Sequence, residues 1–376
     1  MNDRPSPGAS RHPLPASGAG GNVALRPACG EKVPEGRMRG VIFITLLSLA
    51  LATPLAQGEV DAAKATLREQ VLKLINRDRK LYNLPPVELD LPTSLFADDY
   101  CREQIRTGVT GHYDTEGLSP YMRYSMAGGN DGVSENVAAW SAEYTFNERA
   151  LYEMSRRSQD AMMGELPPND GHKRTILDPH ANYVGIGLAW EKGEFRLVQE
   201  FIRRYVTWTR PLQRQARPDD QVIVSGRPLQ GVHVEAITVH HEPVPATMSA
   251  VAANAIHKYA LPDKRKEYLP RLRQKVTRRA DGRFVVTGPL YANGHRGDFS
   301  LGDDGAFSFT VPFPEGEGVY TVVVWVRKDG VLQPIAASNV SIRVERSLPQ
   351  SSRLGWQTNT ITLPTTQSSS AAARPD

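Results

Sequence analysis

GHKRTILDP at residues 171–179 is the stretch that decides the fold, together with NYVGIGLA at residues 182–189 and VQEF at residues 198–201. The second stretch alternates apolar residues with small or polar ones, and EKGE at residues 191–194 supplies a turn. On the return, Phe195, Leu197, Gln199 and Phe201 occupy alternate positions. Alternation on both sides of a short turn predicts a β-hairpin. His172 therefore lies shortly before a hairpin that is expected to be buried on one face.

Two further stretches precede this region in a fixed order. LSPYMR at residues 118–123 follows a Gly-His pair that ends at His112, and SENVA occupies residues 134–138. Each stretch is weak evidence alone. In this order they resemble the CAP superfamily, also called SCP or PR-1-like, and within it the secreted bacterial type. The resemblance implies a three-layer α-β-α sandwich.

Helical patterns fill the chain before the hairpin. Apolar residues recur at helical spacing over residues 63–82, and a second helix is expected to begin near Thr93 or Ser94. Ser119, followed by proline, predicts the start of a short helix, and another amphipathic helix follows from about Asn147. Helices first and an antiparallel hairpin last predict an α+β domain, which we place at residues 63–209.

The pattern changes after residue 209. Residues 210–220 are typical of a linker, and residues 221–346 contain short alternating segments with Gly-rich turns. These segments predict an all-β sandwich of the immunoglobulin-like type. A basic stretch at residues 258–279 is interpreted as a solvated helix face or as a contact for an anionic surface. Residues 347–376 are rich in Ser, Thr, Gln and Ala, and disorder is expected there.

The N-terminal region indicates export. A charged start, an apolar run and an Ala-Leu-Ala exit at residues 38–52 are typical of a signal peptide. Residues 1–37 are interpreted as a disordered leader or as sequence upstream of the true start. We therefore expect a secreted, extracellular or periplasmic protein without a transmembrane anchor after processing.

Charge and cysteine content exclude some classes of function. A formal net charge of +4 over 376 residues is too small to indicate a nucleic-acid partner, although it suits anionic lipid or a cell-envelope polymer. The two cysteines, Cys29 and Cys101, are too few for a disulfide framework or a cysteine-based zinc site.

The resemblance to CAP domains implies a site. It places His112 and His172 on opposite sides of an open cleft, with Glu135 beside them. Two neutral imidazoles suit Zn²⁺ or another divalent ion, and the glutamate could orient a water molecule or fix the histidine tautomers. Many members of the family have a second glutamate in the cleft. The motifs leave Glu153 and Glu165 open as candidates.

Two functions from different classes follow. The favoured one is a binding module for lipid, envelope polymer or protein, because no motif fixes a nucleophile. The alternative is a hydrolase, either a metal-assisted one or a Ser/His/Glu-type peptidase. In that case His112, Glu135 and His172 would be catalytic, and Ser134 would be a further candidate in the cleft. A third interpretation makes the β-sandwich the working part and the α+β domain a spacer.

Overall fold

The computed structural model describes residues 23–24, 54–273 and 275–347 of the chain. The predicted signal peptide, nearly all of the predicted leader and the C-terminal tail beyond Ser347 lie outside the described residues. Within the described part, no helix is both long and apolar enough to cross a membrane.

Five helices belong to the first domain: α1 Pro54–Leu81, α2 Leu91–Thr107, α3 Pro120–Met126, α4 Glu148–Met163 and α5 Gly171–Ile176. Helix α2 begins slightly earlier than predicted, because Asp90 is its N-cap and accepts a hydrogen bond from the backbone N–H of Thr93 at 3.1 Å. It ends at Gly108, whose φ of 77° is the left-handed conformation that glycine adopts freely.

One sheet of five strands forms the middle layer: β1 Val23–Ala24, β2 Glu88–Leu89, β3 Gly132–Ser141, β4 Tyr183–Glu191 and β5 Glu194–Arg203, in the order β1-β3-β5-β4-β2. The predicted hairpin is confirmed as β4 and β5, which pair antiparallel. Gly193 in its turn has a φ of 80°, and a Cβ there would lie 2.1 Å from the carbonyl oxygen of Ala142. The α+β class of this domain is therefore confirmed.

Helices cover both faces of this sheet. One face of β4 and β5 packs against α1 and α4 in a core of large apolar side chains. The other face lies against α2 so closely that a Cβ on Gly187 would be 2.4 Å from Ala97. Successive residues of β3 alternate between these two faces. Glu135 therefore points toward the α2 side, whereas Ser134 and Asn136 point toward the other.

The remaining elements form the second domain: β6 Val206–Trp208, β7 Gln215–Ala216, β8 Val222–Pro228, β9 Val232–Glu242, α6 Ala250–Asn254, β10 Arg265–Tyr268, β11 Lys275–Arg278, β12 Phe284–Thr287, β13 Phe307–Val311, β14 Gly318–Lys328, β15 Ile335–Ala336 and β16 Val340–Val344. One sheet has the order β10-β9-β14-β16-β7, with β15 on β14, and a second has the order β13-β8-β6. The two sheets share one apolar core.

Two segments differ from the sequence-based expectation. Strand β7 pairs with β16, so part of the predicted linker at residues 210–220 is hydrogen-bonded into the second domain. Strand β6, at the end of the region predicted as the first domain, pairs with β8 of the second domain. The basic stretch at residues 258–279 contains strands β10 and β11 rather than the helix that was expected. β10 is determined by pairing with β9, a distant contact that a local charge pattern does not report.

The two domains are joined by hydrogen bonds from backbone N–H groups at the start of β3. The N–H of Gly132 donates to the carbonyl of Ala337 at 3.0 Å, and the N–H of Val133 donates to Oδ1 of Asn339 at 2.8 Å. Side chains of both domains, including Tyr259, share one buried apolar cluster beside these bonds. The second domain is thereby held directly next to Glu135.

Candidate functional site

His112 and His172 lie next to each other inside the first domain. His112 belongs to the loop after α2, and His172 is the second residue of α5. Their ring centres are 6.3 Å apart, with an angle of 35° between the ring planes. Both side chains are 0% exposed, which differs from the open cleft expected from the sequence.

Glu135 is hydrogen-bonded to the ring of His112. Its Oε1 lies 2.8 Å from Nδ1 of His112, and Nη2 of Arg123 donates to its Oε2 at 2.5 Å. A second guanidinium nitrogen of Arg123 donates to the backbone carbonyl of His112. Both carboxylate oxygens are therefore occupied, and Arg123 compensates the buried negative charge.

The surroundings lower the pKa values of both residues of this pair. Burial alone would raise the pKa of Glu135, but the charge of Arg123 and the bond to His112 outweigh it, and the pKa of Glu135 is lowered. Burial lowers the pKa of His112 in spite of the opposing bond to Glu135. At neutral pH, His112 is therefore a neutral imidazole that donates through Nδ1 to a carboxylate. Its Nε2 carries a lone pair.

Glu165 is hydrogen-bonded to the ring of His172. Its Oε1 pairs with Nδ1 of His172, and its Oε2 accepts from the backbone N–H of His172 at 3.0 Å. The other candidate, Glu153, forms an ion pair with Arg156 at 3.0 Å, and both of these side chains are partly exposed on α4. The structure thus places Glu165 in the site and Glu153 on the surface of the helix.

The two Nε2 atoms lack partners. Nε2 of His112 and Nε2 of His172 are both buried, and neither has a hydrogen-bond partner. Buried polar atoms without partners are rare, since each costs roughly 1–3 kcal/mol. Two such atoms on neighbouring rings indicate a place for an atom or ion that both can bind.

The spacing of the rings is somewhat wide for one shared metal ion. Zn²⁺ lies about 2.0–2.1 Å from a histidine nitrogen, so one ion bound by two Nε2 atoms at a tetrahedral angle would hold the ring centres about 5 Å apart. The observed separation is 6.3 Å, so the rings would have to approach each other by about 1 Å to share an ion. In the described residues, no group of three or more His, Cys, Asp or Glu is arranged to hold a metal. Any further ligands would therefore come from water or from a bound molecule.

The hydroxyl of Ser134 is hydrogen-bonded to an arginine and not to a histidine of the site. Its hydroxyl accepts a hydrogen bond from Nη1 of Arg203 at 3.1 Å, and the same guanidinium nitrogen binds Asp178 at 2.9 Å. Within residues 54–273 and 275–347, no hydrogen bond joins Ser134 to His112 or His172. A general base must be within hydrogen-bond reach of the hydroxyl it activates. Ser134 therefore does not fit the role of nucleophile.

Glu200 was not among the residues expected in the site. It is directly opposite Glu135 in the β3–β5 ladder and is fully buried, and its carboxyl group hydrogen-bonds to that of Glu135. Burial, and then the charge of Glu135, raises its pKa well above the usual value. Glu200 is thus the neutral acid of the site. The alternation along β5 predicts its face, but not its depth or its neighbour.

Tyr259 reaches the site from the second domain. Its hydroxyl accepts from the backbone N–H of Glu135 at 2.6 Å, and its ring meets the ring of His112 edge-on, with 4.8 Å between the centres. The side chain of Tyr259 is itself buried. This contact explains why His112 is closed off from solvent.

Residues 243–262, between β9 and β10, form the strap that carries Tyr259. The N–H of Met248 donates to the carbonyl of Thr115 at 2.8 Å, and Oδ1 of Asn254 accepts from the N–H of Thr110 at 2.7 Å. Gly117 leaves room for the strap, because a Cβ there would lie 2.5 Å from the carbonyl oxygen of Ala246. The strap thus lies along the loop that contains His112.

Replacing Tyr259 by alanine is expected to expose His112. Histidine modification by diethyl pyrocarbonate, followed by mass spectrometry, measures this directly: His112 should be protected in the wild type and reactive in Tyr259→Ala. Tyr144→Ala is the matched control, since Tyr144 is 58% exposed. Equal protection of His112 in all three proteins would show that Tyr259 does not close the site.

Comparison with known proteins gives a family for this domain. The model of the Cysteine-rich secretory protein family, CAP, matches residues 72–201. The chain is also similar to a solved structure of an extracellular protein containing an SCP domain from Bacillus anthracis strain Ames, with 18% identity and a TM-score of 0.28. That match covers 36% of this chain and 40% of the other, so the chain spans less than half of the length of that relative. No curated protein matches.

The matched segment contains all four members of the two His–Glu pairs, namely His112, Glu135, Glu165 and His172. The family name refers to cysteines, but in the described residues the free cysteine is Cys101, which is buried. Residues 72–201 of this chain are therefore a CAP domain.

Proposed function

We propose that this protein is an extracellular binding protein whose CAP domain binds a divalent metal ion, Zn²⁺ in the best case, between His112 and His172. One observation carries the proposal: both Nε2 atoms are buried without partners on rings whose centres are 6.3 Å apart. The export signal expected at residues 38–52 and the secretory family of the domain support an extracellular location.

The surroundings of the histidines suit a metal ligand. Each ring directs its Nδ1 to a carboxylate, which fixes the tautomer and makes the opposite nitrogen more basic. Neutral imidazole nitrogen favours Zn²⁺ and related ions over Mg²⁺ and Ca²⁺, which prefer oxygen. When bound, the ion would supply a Lewis-acidic centre for an anionic or carbonyl group of a ligand.

Binding is favoured over hydrolysis because neither glutamate that pairs with a histidine has an oxygen free to act as a base. Both oxygens of Glu135 are engaged, by His112 and Arg123, and both oxygens of Glu165 are engaged by His172. A glutamate that acts as general base needs an oxygen free to take a proton from water. Ser134 is bound to Arg203, which disfavours the Ser/His/Glu-type peptidase.

The second domain belongs to the same proposal. Two sheets that share one core support an immunoglobulin-like sandwich over residues 221–346. Such a sandwich suits an interaction domain. The lipid, polymer or protein ligand of the CAP site would then have to pass the strap, since the strap closes the site on the side of His112.

The test is Zn²⁺ binding to the exported protein, measured by calorimetry and by metal content. We expect His112→Ala and His172→Ala each to lower the affinity more than 100-fold, and Glu135→Gln to lower it about 10–100-fold through its bond to His112. His233→Ala is the control, since His233 is an exposed histidine that also pairs with a carboxylate, that of Asp329. Circular dichroism of each variant checks that the fold is retained.

The pH dependence has a definite sign. A protonated imidazole cannot bind a metal, so affinity should fall as the pH falls through the pKa of His112. Because burial lowers that pKa, the loss should occur below about 6.5, the ordinary value for histidine. Equal Zn²⁺ affinity in the wild type and in the double histidine variant would refute the metal site.

A further inference from the structure

Residues 264–297 of the second domain carry a net positive charge larger than that of the whole chain, and we call them the basic arm. They contain ten Lys and Arg residues and two acidic ones, a net charge of +8. The whole chain has a net charge of +4, so the rest of it carries −4. A charge separation of this size within one chain creates a one-sided positive potential.

The basic arm lies at the margin of the second domain. Strand β10 is the edge strand of its sheet, and β11 and β12 form a two-stranded sheet of their own. Among the side chains of the arm that the structure describes, Tyr268 is the one that belongs to the shared core of the domain. Its charged side chains are therefore available for a partner without rearrangement of the core.

Most of these charges are not compensated within the protein. Lys264 pairs with Glu315, and Arg273 pairs with Asp303. Within the described residues, the other arginines of the arm have no carboxylate within ion-pair distance: Arg265, Arg271, Arg278, Arg279, Arg283 and Arg296. All six are exposed. Exposed arginines that repel one another and have no partner of their own favour an external anion.

Apolar side chains stand among these charges. Phe284 is 68% exposed and Leu290 is 53% exposed. The guanidinium of Arg278 lies over the ring of Phe284, 5.9 Å from its centre. Arginine beside exposed aromatic and aliphatic side chains is the combination that binds the interface of an anionic membrane, where phosphates meet acyl chains. A soluble polyanion offers no apolar environment in which an exposed leucine side chain could be buried.

We propose that the basic arm docks this protein on an anionic phospholipid surface. The arginines of the arm bind the headgroup phosphates, and Phe284 and Leu290 enter the boundary between headgroups and acyl chains. This inference is independent of the metal site, because the arm lies outside residues 72–201.

The experiment is cosedimentation of the full chain with vesicles of phosphatidylcholine alone or mixed with phosphatidylglycerol. We expect binding to the mixed vesicles, weakened by salt, and little binding to the neutral ones. R278Q/R279Q/R283Q should lower partitioning on the order of 100-fold, at roughly tenfold or less per charge. Phe284→Ser should lower it about tenfold through lost apolar burial.

The matched control removes three exposed charges from the CAP domain instead: K73Q/R149Q/R157Q. It should bind the mixed vesicles like the wild type, and the arm variant should keep the wild-type Zn²⁺ affinity. Equal vesicle binding by the arm variant and the wild type would overturn the proposal. So would binding to a soluble polyanion such as heparin without binding to the vesicles. An unchanged affinity of Phe284→Ser would refute the insertion of apolar side chains.

Discussion

Replacing Arg123 by methionine is expected to lower the free energy of unfolding by about 3–5 kcal/mol at neutral pH. Arg123 is buried, donates to Glu135 at 2.5 Å and to the carbonyl of Leu118 at 3.0 Å, and lies 3.6 Å from the ring centre of Tyr100. Methionine fills part of the same volume but leaves the charge of Glu135 buried and uncompensated. The loss should therefore come mainly from the carboxylate that remains.

A second variant separates charge from packing. In Arg123→Met with Glu135→Gln, the group opposite the methionine is neutral, so most of the lost stability should return. Urea unfolding at neutral pH measures both variants, and Arg156→Met, which breaks a partly exposed pair on α4, serves as the control with little expected change. If the double variant were as unstable as Arg123→Met alone, the loss would be one of packing, and the charge argument would fail.

The elements that could be predicted from the sequence are those set by local patterns. The hairpin of β4 and β5 follows from strict alternation around a Lys-Gly turn, and α4 follows from the N-cap residue Asn147. The basic stretch at residues 258–279 could not be assigned in this way. It lacks a clear apolar period, and its strand β10 depends on pairing with β9. Such pairing is decided by distant residues.

Only those residues of the site that belong to the family motifs could be predicted from the sequence. The resemblance to CAP domains supplied His112, Glu135 and His172, but the choice of Glu165 needed the path of the loop before α5. Tyr259 contacts Glu135 across 124 residues of sequence and comes from another domain. A motif in the first domain cannot predict a residue of the second domain. Only the structure therefore reveals that Tyr259 closes the site.

Glu200→Gln is expected to stabilise the protein, and the gain should grow with pH. The folded-state pKa of Glu200 is raised well above the usual value, first by burial and then by the charge of Glu135. Between the unfolded pKa of about 4.3 and the folded pKa, the folded protein binds one more proton than the unfolded chain. Stability of the wild type therefore falls with rising pH in this window, by up to about 1.4 kcal/mol per pH unit. Glutamine carries no proton to lose.

Glu135 acts in the opposite direction, which makes the test specific. Its folded-state pKa is lowered, so its contribution is present above the unfolded pKa and is lost as the pH falls through the folded value. Urea unfolding across a pH series should show that Glu200→Gln flattens the alkaline side of the stability profile and leaves the acid side unchanged. Glu153→Gln, on a partly exposed glutamate, should reproduce the wild-type profile. If Glu200→Gln and the wild type lost stability in parallel as the pH rose, Glu200 would be ionised in the folded protein, and it could not be the neutral acid beside Glu135.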